Sequence, residues 1–249
     1  MPRHLFSDLH PVLLDALQRA AAQYHWKQKT QDRNRSLSLV WSYRSLEAQQ
    51  RAHARGHSKK NGVTSFSLHN YTPTLAADCW LVVPDDKVDP VLVEGRADKP
   101  PHSTSGQGGK IILGAKLGMT GGLDLDSKGV WLEYRRWGRT LAATTVNLPS
   151  PLGAAGPPWR NTLEWGGHWE KFRDGPHIQL KKRDRAYLLQ LSLQERGFQP
   201  GPLDGILGSR TRLAMRRAGK EAGLTPFVNS RSWPVTPELW AWLHATTLP

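Results

Sequence analysis

From Ser36 to Tyr43 the chain alternates polar and apolar side chains, the period of two that a half-buried strand requires. Leu75 to Val83 is apolar apart from Asp78, and His177-Ile178-Gln179-Leu180 is a shorter run of the same kind, so both read as strands of one sheet. A helix is expected around Trp131 to Ala143. Beyond Arg185 the pattern turns wholly helical. Ala186 to Leu193 opens a helix that stops at Gly197, and a Pro200-Gly201-Pro202 turn follows. A second helix runs from about Ser209, whose hydroxyl is expected to cap it, to Arg217. Thr236 to Leu243 reads as a final capped helix with Pro237 at its first position. Between the two regions, Lys181-Lys182-Arg183-Asp184-Arg185 reads as a charged linker or solvated strand end. The expected architecture is α+β: a small antiparallel sheet with flanking helices over residues 1–182, then a small all-α unit over 183–249. Residues 84–160 are least regular, with Gly-, Ser- and Pro-rich stretches at 99–109 and 149–158 that read as loops at a substrate rim.

Three side chains on this scaffold share one chemistry. His69, Asp78 and His177 offer two imidazoles and a carboxylate, the nitrogen and oxygen donors that Zn²⁺ accepts, and three protein ligands leave a fourth position for water. Both ligand ends are expected at strand edges. Asp174, three residues before the last ligand, is placed to take a proton from that water without binding the metal. Glu164 is its rival, because a carboxylate beside the apolar ring of Trp165 gains proton affinity.

The flanks of these residues are Ser67-x-His69, Ala76-x-Asp78, Trp165-Gly166-Gly167-His168-Trp169 and Asp174-x-x-His177. In order and chemistry they resemble the zinc D-Ala-D-Ala carboxypeptidase and L-Ala-D-Glu endopeptidase family, which includes vancomycin-resistance dipeptidases and many phage endolysins. The interval from His69 to Asp78 is two residues longer than the family pattern, an insertion that a loop around Thr72-Pro73 can absorb. The resemblance implies that zinc lowers the pKa of its water to about 7 and that Asp174 takes the proton. It also matches Tyr43-Arg44-Ser45 and the helix bearing Gln49, and so implies that Arg44 faces the scissile carbonyl as it becomes an oxyanion. Ser67, Gln49, Glu164, Trp165 and Trp169 are the remaining candidates for substrate contact, with core packing as the competing reading for the two Trp. The bond implied is L-Ala-D-Glu in the peptidoglycan stem, with D-Ala-D-Ala as the alternative.

The helical C-terminus resembles the small peptidoglycan-binding module found beside wall hydrolases. The matching positions are Leu193/Gly197/Phe198, Gly201/Asp204/Gly205/Gly208 and Thr211/Ala214, which makes Asp204, Gly205, Arg210 and Thr211 the wall-binding candidates. Trp240 and Trp242 read as core, with a sugar-facing role as the alternative. Two other patterns fail on their chemistry. Asp124-Leu125-Asp126-Ser127-Lys128 puts Lys128 where a calcium loop needs an oxygen, and Gly108-Gly109-Lys110-Ile111 lacks the hydroxyl of a phosphate loop.

Charge narrows the partners without choosing one. With 34 Lys and Arg against 21 Asp and Glu in 249 residues, the net charge is +13, which favours polyanions such as teichoic acid, lipopolysaccharide, anionic lipid or nucleic acid. The basic residues are scattered, and no DNA- or RNA-binding motif is present. A single cysteine, Cys79, excludes an internal disulfide. Residues 1–8 lack the apolar core of a signal peptide, and no stretch is suited to span a membrane. The resemblance to phage endolysins then implies a monomeric endolysin made in the host cytoplasm and released to the wall through a separately encoded pore. A non-catalytic wall-binding protein and a basic nucleic-acid binder are the readings from other classes.

Overall fold

The computed structural model describes residues 5–31, 36–84, 92–94, 109–112, 127–150, 160–170, 173–228 and 233–245. The first long element is α1 (Pro11–Lys29), started by Pro11 and by the His10 imidazole, whose Nδ1 accepts from Val12 N at 3.2 Å. Leu13, Leu17, Ala20 and Tyr24 recur at helical spacing and form its buried face. The pattern reading did not single out this element, although that spacing was there to find it.

Among the described residues six strands build one sheet in the order β3-β1-β2-β6-β5, with β4 also on β2: β1 (Ser36–Trp41), β2 (Ala76–Pro84), β3 (Leu92–Glu94), β4 (Gly109–Ile112), β5 (Leu163–Trp165) and β6 (His177–Leu180). The sheet is mixed and not purely antiparallel, because β3 joins β1 in parallel. The other pairings are antiparallel. β2 is the central strand: its first residues, Ala76 to Asp78, pair with β6, and Leu81 to Pro84 pair with β4. Ala76 to Leu81 of β2 are all buried, so this stretch is covered on both faces and is apolar without alternation apart from Asp78.

Two helices flank the strands in the first part of the chain, α2 (Leu46–Ala54) and α3 (Ser127–Ala143). α3 begins four residues before the expected start. It packs Tyr134, Trp137 and Leu141 into the core, with the Trp137 ring edge-on to Tyr24 of α1 at 5.5 Å. Asp124 to Asp126 and the loops at 99–108 and 151–158 lie outside the described residues.

The charged run after β6 is not a linker. α4 (Lys182–Glu195) starts one residue after the strand, and Asp184 and Arg185 in its first turns are buried. Asp184 is held by Arg160 at 2.7 Å and Arg185 lies over the Trp233 ring at 5.3 Å, so the charges face partners that sequence spacing does not reveal. α5 (Ser209–Ala222) has Gly208 at its N-cap, so Ser209 is its first helical residue and not the expected cap. α6 (Pro237–His244) is capped by Thr236 Oγ1, which accepts from Leu239 N, as the sequence indicated.

The helical unit and the sheet share one continuous core. Trp240 is fully buried and donates from Nε1 to Pro73 O at 2.9 Å, while Tyr71 donates to Val235 O at 2.7 Å. The segment Tyr71 to Pro73, just after His69, is thus the ledge on which α6 rests. Among the described residues no helix is long and apolar enough to cross a membrane.

Candidate metal centre and its cleft

Asp78 and His177 are direct partners in the β2–β6 ladder, which puts both side chains on one face of the sheet. His69 reaches them from a different kind of element. It lies in a 3₁₀ turn, Leu68–Asn70, and not on a strand edge. Ser67 and Asn70 close that turn as a reciprocal cap, and Asn70 Nδ2 donates to Arg44 O at 2.7 Å, tying the turn to the end of β1. A bulge between Leu39 and Trp41 bends β1 just before this point. Beyond it, the Ser42 carbonyl meets His69 Nδ1 at 2.8 Å.

All three donors are buried, and their ligand atoms lie within 4.8 Å of one another. His69 Nε2 is 3.3 Å from His177 Nδ1 and 3.4 Å from Asp78 Oδ1, and His177 Nδ1 is 3.1 Å from Asp78 Oδ1. Donors at about 2.0–2.1 Å from a tetrahedral zinc stand about 3.3–3.4 Å apart, so the triangle already has the size of three corners of that tetrahedron.

The hydrogen bonds around the triangle fix which atoms face inward. A carbonyl only accepts, so the Ser42 contact requires N–H at His69 Nδ1 and leaves a lone pair on Nε2. On the other ring, His177 Nε2 meets Gln179 Oε1 at 3.1 Å. The Gln179 orientation is set in turn by Glu164, whose carboxylate accepts from Gln179 Nε2 at 2.9 Å and from Trp169 Nε1 at 2.8 Å. His177 Nδ1 therefore also presents a lone pair. Two imidazole lone pairs and a carboxylate oxygen converge on one point, an arrangement that a cation completes. Burial alone would raise the Asp78 carboxyl, but His69 and His177 outweigh it and hold Asp78 well below the ordinary carboxylate range. Burial would likewise lower His177, and the Asp78 carboxylate beside the ring reverses this and raises it.

The triangle opens into a cleft of about 330 Å³. Arg44, Ser67, Trp169 and Asp174 line it together with the three donors. Arg44 Nη1 donates to Gln49 Oε1 at 3.1 Å, and Gln49, fully buried, also donates to Ser58 Oγ and Lys60 O at 2.7 Å. Gln49 thus sits behind the cleft wall, fixing Arg44 and the loop after α2. Glu164 is likewise outside the lining, with both oxygens occupied by Trp169 and Gln179. Trp165 is core: its Nε1 donates to Gly175 O, and its ring fills the space beside Gly138 and Gly167.

Gly166 accounts for part of the Trp-Gly-Gly-x-Trp motif. A Cβ there would stand 2.7 Å from Asp174 O and 3.1 Å from His177 Cβ, so its absence lets the 174–177 segment pass close by. Asp174 N donates to Gly166 O at 3.1 Å and completes the clasp. The sequence reading missed Gln179 as a site residue, and its place two positions after His177 on one strand was the available signal.

The wall-binding candidates lie elsewhere, and three of the four, Asp204, Gly205 and Thr211, gather around Gln190. Its amide donates to Asp204 Oδ1 and Thr211 Oγ1 and accepts from Gly205 N, and Gly205 has φ 74°. These contacts build the α4–α5 loop. Arg210 is the exposed member of the four.

No protein-family model matches the chain. It is 26% identical over 184 residues to the peptidoglycan L-alanyl-D-glutamate endopeptidase CwlK of Bacillus subtilis, a match that covers 70% of this chain and 74% of that protein. Among solved structures it is similar to the L-Ala D-Glu endopeptidase ChiX of Serratia marcescens, at 19% identity and a TM-score of 0.34, over 72% of this chain and 86% of the other.

Proposed function

We propose that this chain is a metal-dependent peptidoglycan hydrolase, more finely a zinc L-alanyl-D-glutamate endopeptidase that acts on the bacterial wall as an endolysin. The observation that carries the reading is the buried triangle of His69, Asp78 and His177, with zinc-sized spacing, opening on a cleft that also holds Asp174 and Arg44. The similarity to CwlK, whose name states that activity, supports the choice of substrate. Zinc bound there would supply Lewis acidity and a water of lowered pKa. Asp174 takes the proton of the attacking water and returns it to the leaving amine. Arg44, held by Gln49, faces the carbonyl oxygen as negative charge develops on it. Trp169, whose ring lies tilted beside that of His177 at 4.9 Å, shields one side of the cleft from solvent. Wall binding by the helical unit belongs to the same proposal, and Arg210 is the one of its four candidates exposed to a ligand.

Mass spectrometry of purified peptidoglycan tests the reading, with wild type, Asp174→Ala and chelator-treated protein in parallel. New N-terminal D-Glu with intact glycan, seen only for the untreated wild type, is the expected result. Loss of terminal D-Ala alone makes the chain a carboxypeptidase. No release beyond the controls overturns the enzymatic reading and leaves wall binding.

A further inference from the structure

Arg185 lines the same cleft as the metal triangle, although it belongs to α4 of the helical unit. Its residue is only 4% exposed, and its Nε meets no hydrogen-bond acceptor among the described residues. Isolated buried guanidinium is costly, so such a group marks either a structural ion pair or a waiting ligand. The structural explanation is weak here. Glu164 is the leading opposing charge, and both of its oxygens already accept from Trp169 and Gln179. Burial lowers Arg185 to about 10, which still leaves it a cation at neutral pH. Its flat face lies over Trp233, another residue of the cleft wall, which fixes the plane of the fork. Lys59 and Lys60 line the cleft as well, on the loop that Gln49 anchors.

We propose that Arg185, with Lys59 and Lys60, forms a carboxylate subsite of the cleft that recognises an acidic residue beside the scissile bond. This rests on the peptidase reading above and deepens it. A glutamate linked onward through its γ-carboxyl keeps a free α-carboxylate next to the bond on its amino side, and a guanidinium held in one plane binds such a group through two parallel hydrogen bonds. The helical unit then does more than tether the enzyme, since it supplies one wall of the specificity site.

The test compares two synthetic peptides containing L-Ala-γ-D-Glu-L-Lys, one with the free D-Glu α-carboxylate and one with its carboxamide. The full-length zinc-loaded protein is assayed for kcat/KM on each, and Kd is measured for uncleavable analogues of both. The expected wild-type preference is about ten- to hundredfold for the carboxylate. Arg185→Gln brings that ratio toward one, and Arg185→Lys restores part of it. A structural role alone lowers both rates and leaves the ratio standing. Lys60→Ala, on the cleft rim, lowers the ratio in part and serves if Arg185 variants fail to fold. Equal kcat/KM for both peptides in the wild type, or an unchanged ratio in folded Arg185→Gln, overturns the subsite. Cleavage of neither peptide overturns the peptidase reading instead, and equal Kd values would then overturn the subsite too.

Discussion

Gln179 Oε1 lies 3.1 Å from His177 Nε2, and this contact leaves His177 Nδ1 to face His69 and Asp78. The control runs one residue further out, because Glu164 accepts from the Gln179 amide and so prevents the side chain from turning over. Groups of this kind orient a ligand without touching the metal, and losing one costs about 10- to 100-fold in metal affinity. Gln179→Leu is therefore expected to weaken zinc binding by that factor, read by competition with a chromophoric chelator. Unchanged affinity in the folded variant would remove Gln179 from the site.

Gly166 and Asp174 give a second expectation. The Cβ of Gly166→Ala meets backbone at Asp174 O, which cannot swing aside as a flexible side chain can. The 174–177 segment must shift, and a displacement near 1 Å costs about 10²-fold in rate. The expected outcome is a fall of about that size in kcat measured at saturating zinc, because the shift also moves His177. A variant with wild-type kcat shows that the clasp does not position Asp174.

That His69, Asp78 and His177 would meet in one cluster was legible in the sequence, because two imidazoles and a carboxylate on recognisable flanks form a distinctive set. So were β1, β2, β6, α3 and the capped α6, whose patterns are set by local periodicity and capping. What escaped depends on partners distant in the chain. The run Lys181 to Arg185 looks solvated until Arg160 and Trp233 are brought against it. His69 stood outside both strand runs, and the Ser67–Asn70 cap makes its segment a 3₁₀ turn. Glu164 and Asp174 are alike in type, and in the sequence only the spacing to His177 favoured Asp174. Only tertiary placement shows one turned to Gln179 and Trp169 and the other toward the cleft. The parallel β3 was likewise beyond local pattern, since pairing direction is a property of the whole chain path.

Where α6 meets the start of α1, two buried imidazoles give a pH expectation. The rings of His10 and His244 are 5.5 Å apart, with Trp240 beside both. Burial, then the charge of His244, pushes His10 down to about 3. Burial, aided by Arg196 and opposed by the Trp240 carbonyl, pushes His244 to about 4. An unfolded histidine titrates near about 6.5, so below that pH the unfolded chain binds protons that the native chain refuses. Stability is full above about pH 6.5 and falls as pH drops toward the folded values, by roughly 3 kcal/mol from His10 alone near pH 4.5. Urea unfolding of chelator-treated protein at pH 7.5 and 4.5 measures the drop. It should shrink in His10→Phe, and an equal drop in that variant would assign the acid sensitivity elsewhere.

The last expectation separates the two carboxylates. Asp174→Asn removes a proton acceptor from the cleft while leaving the triangle intact, so zinc binding persists and kcat falls by about 10²–10⁴-fold. Glu164→Gln keeps the shape of the relay but lets the Gln179 amide turn over, because an amide can donate as well as accept. Its first effect is on metal affinity, and at saturating zinc its kcat should fall far less than that of Asp174→Asn. The two variants thus differ in which quantity moves, and titrating zinc into each while recording turnover resolves them. If Glu164→Gln, fully zinc-loaded, loses as much kcat as Asp174→Asn, the proton passes through Glu164 and the assignment of the base reverses.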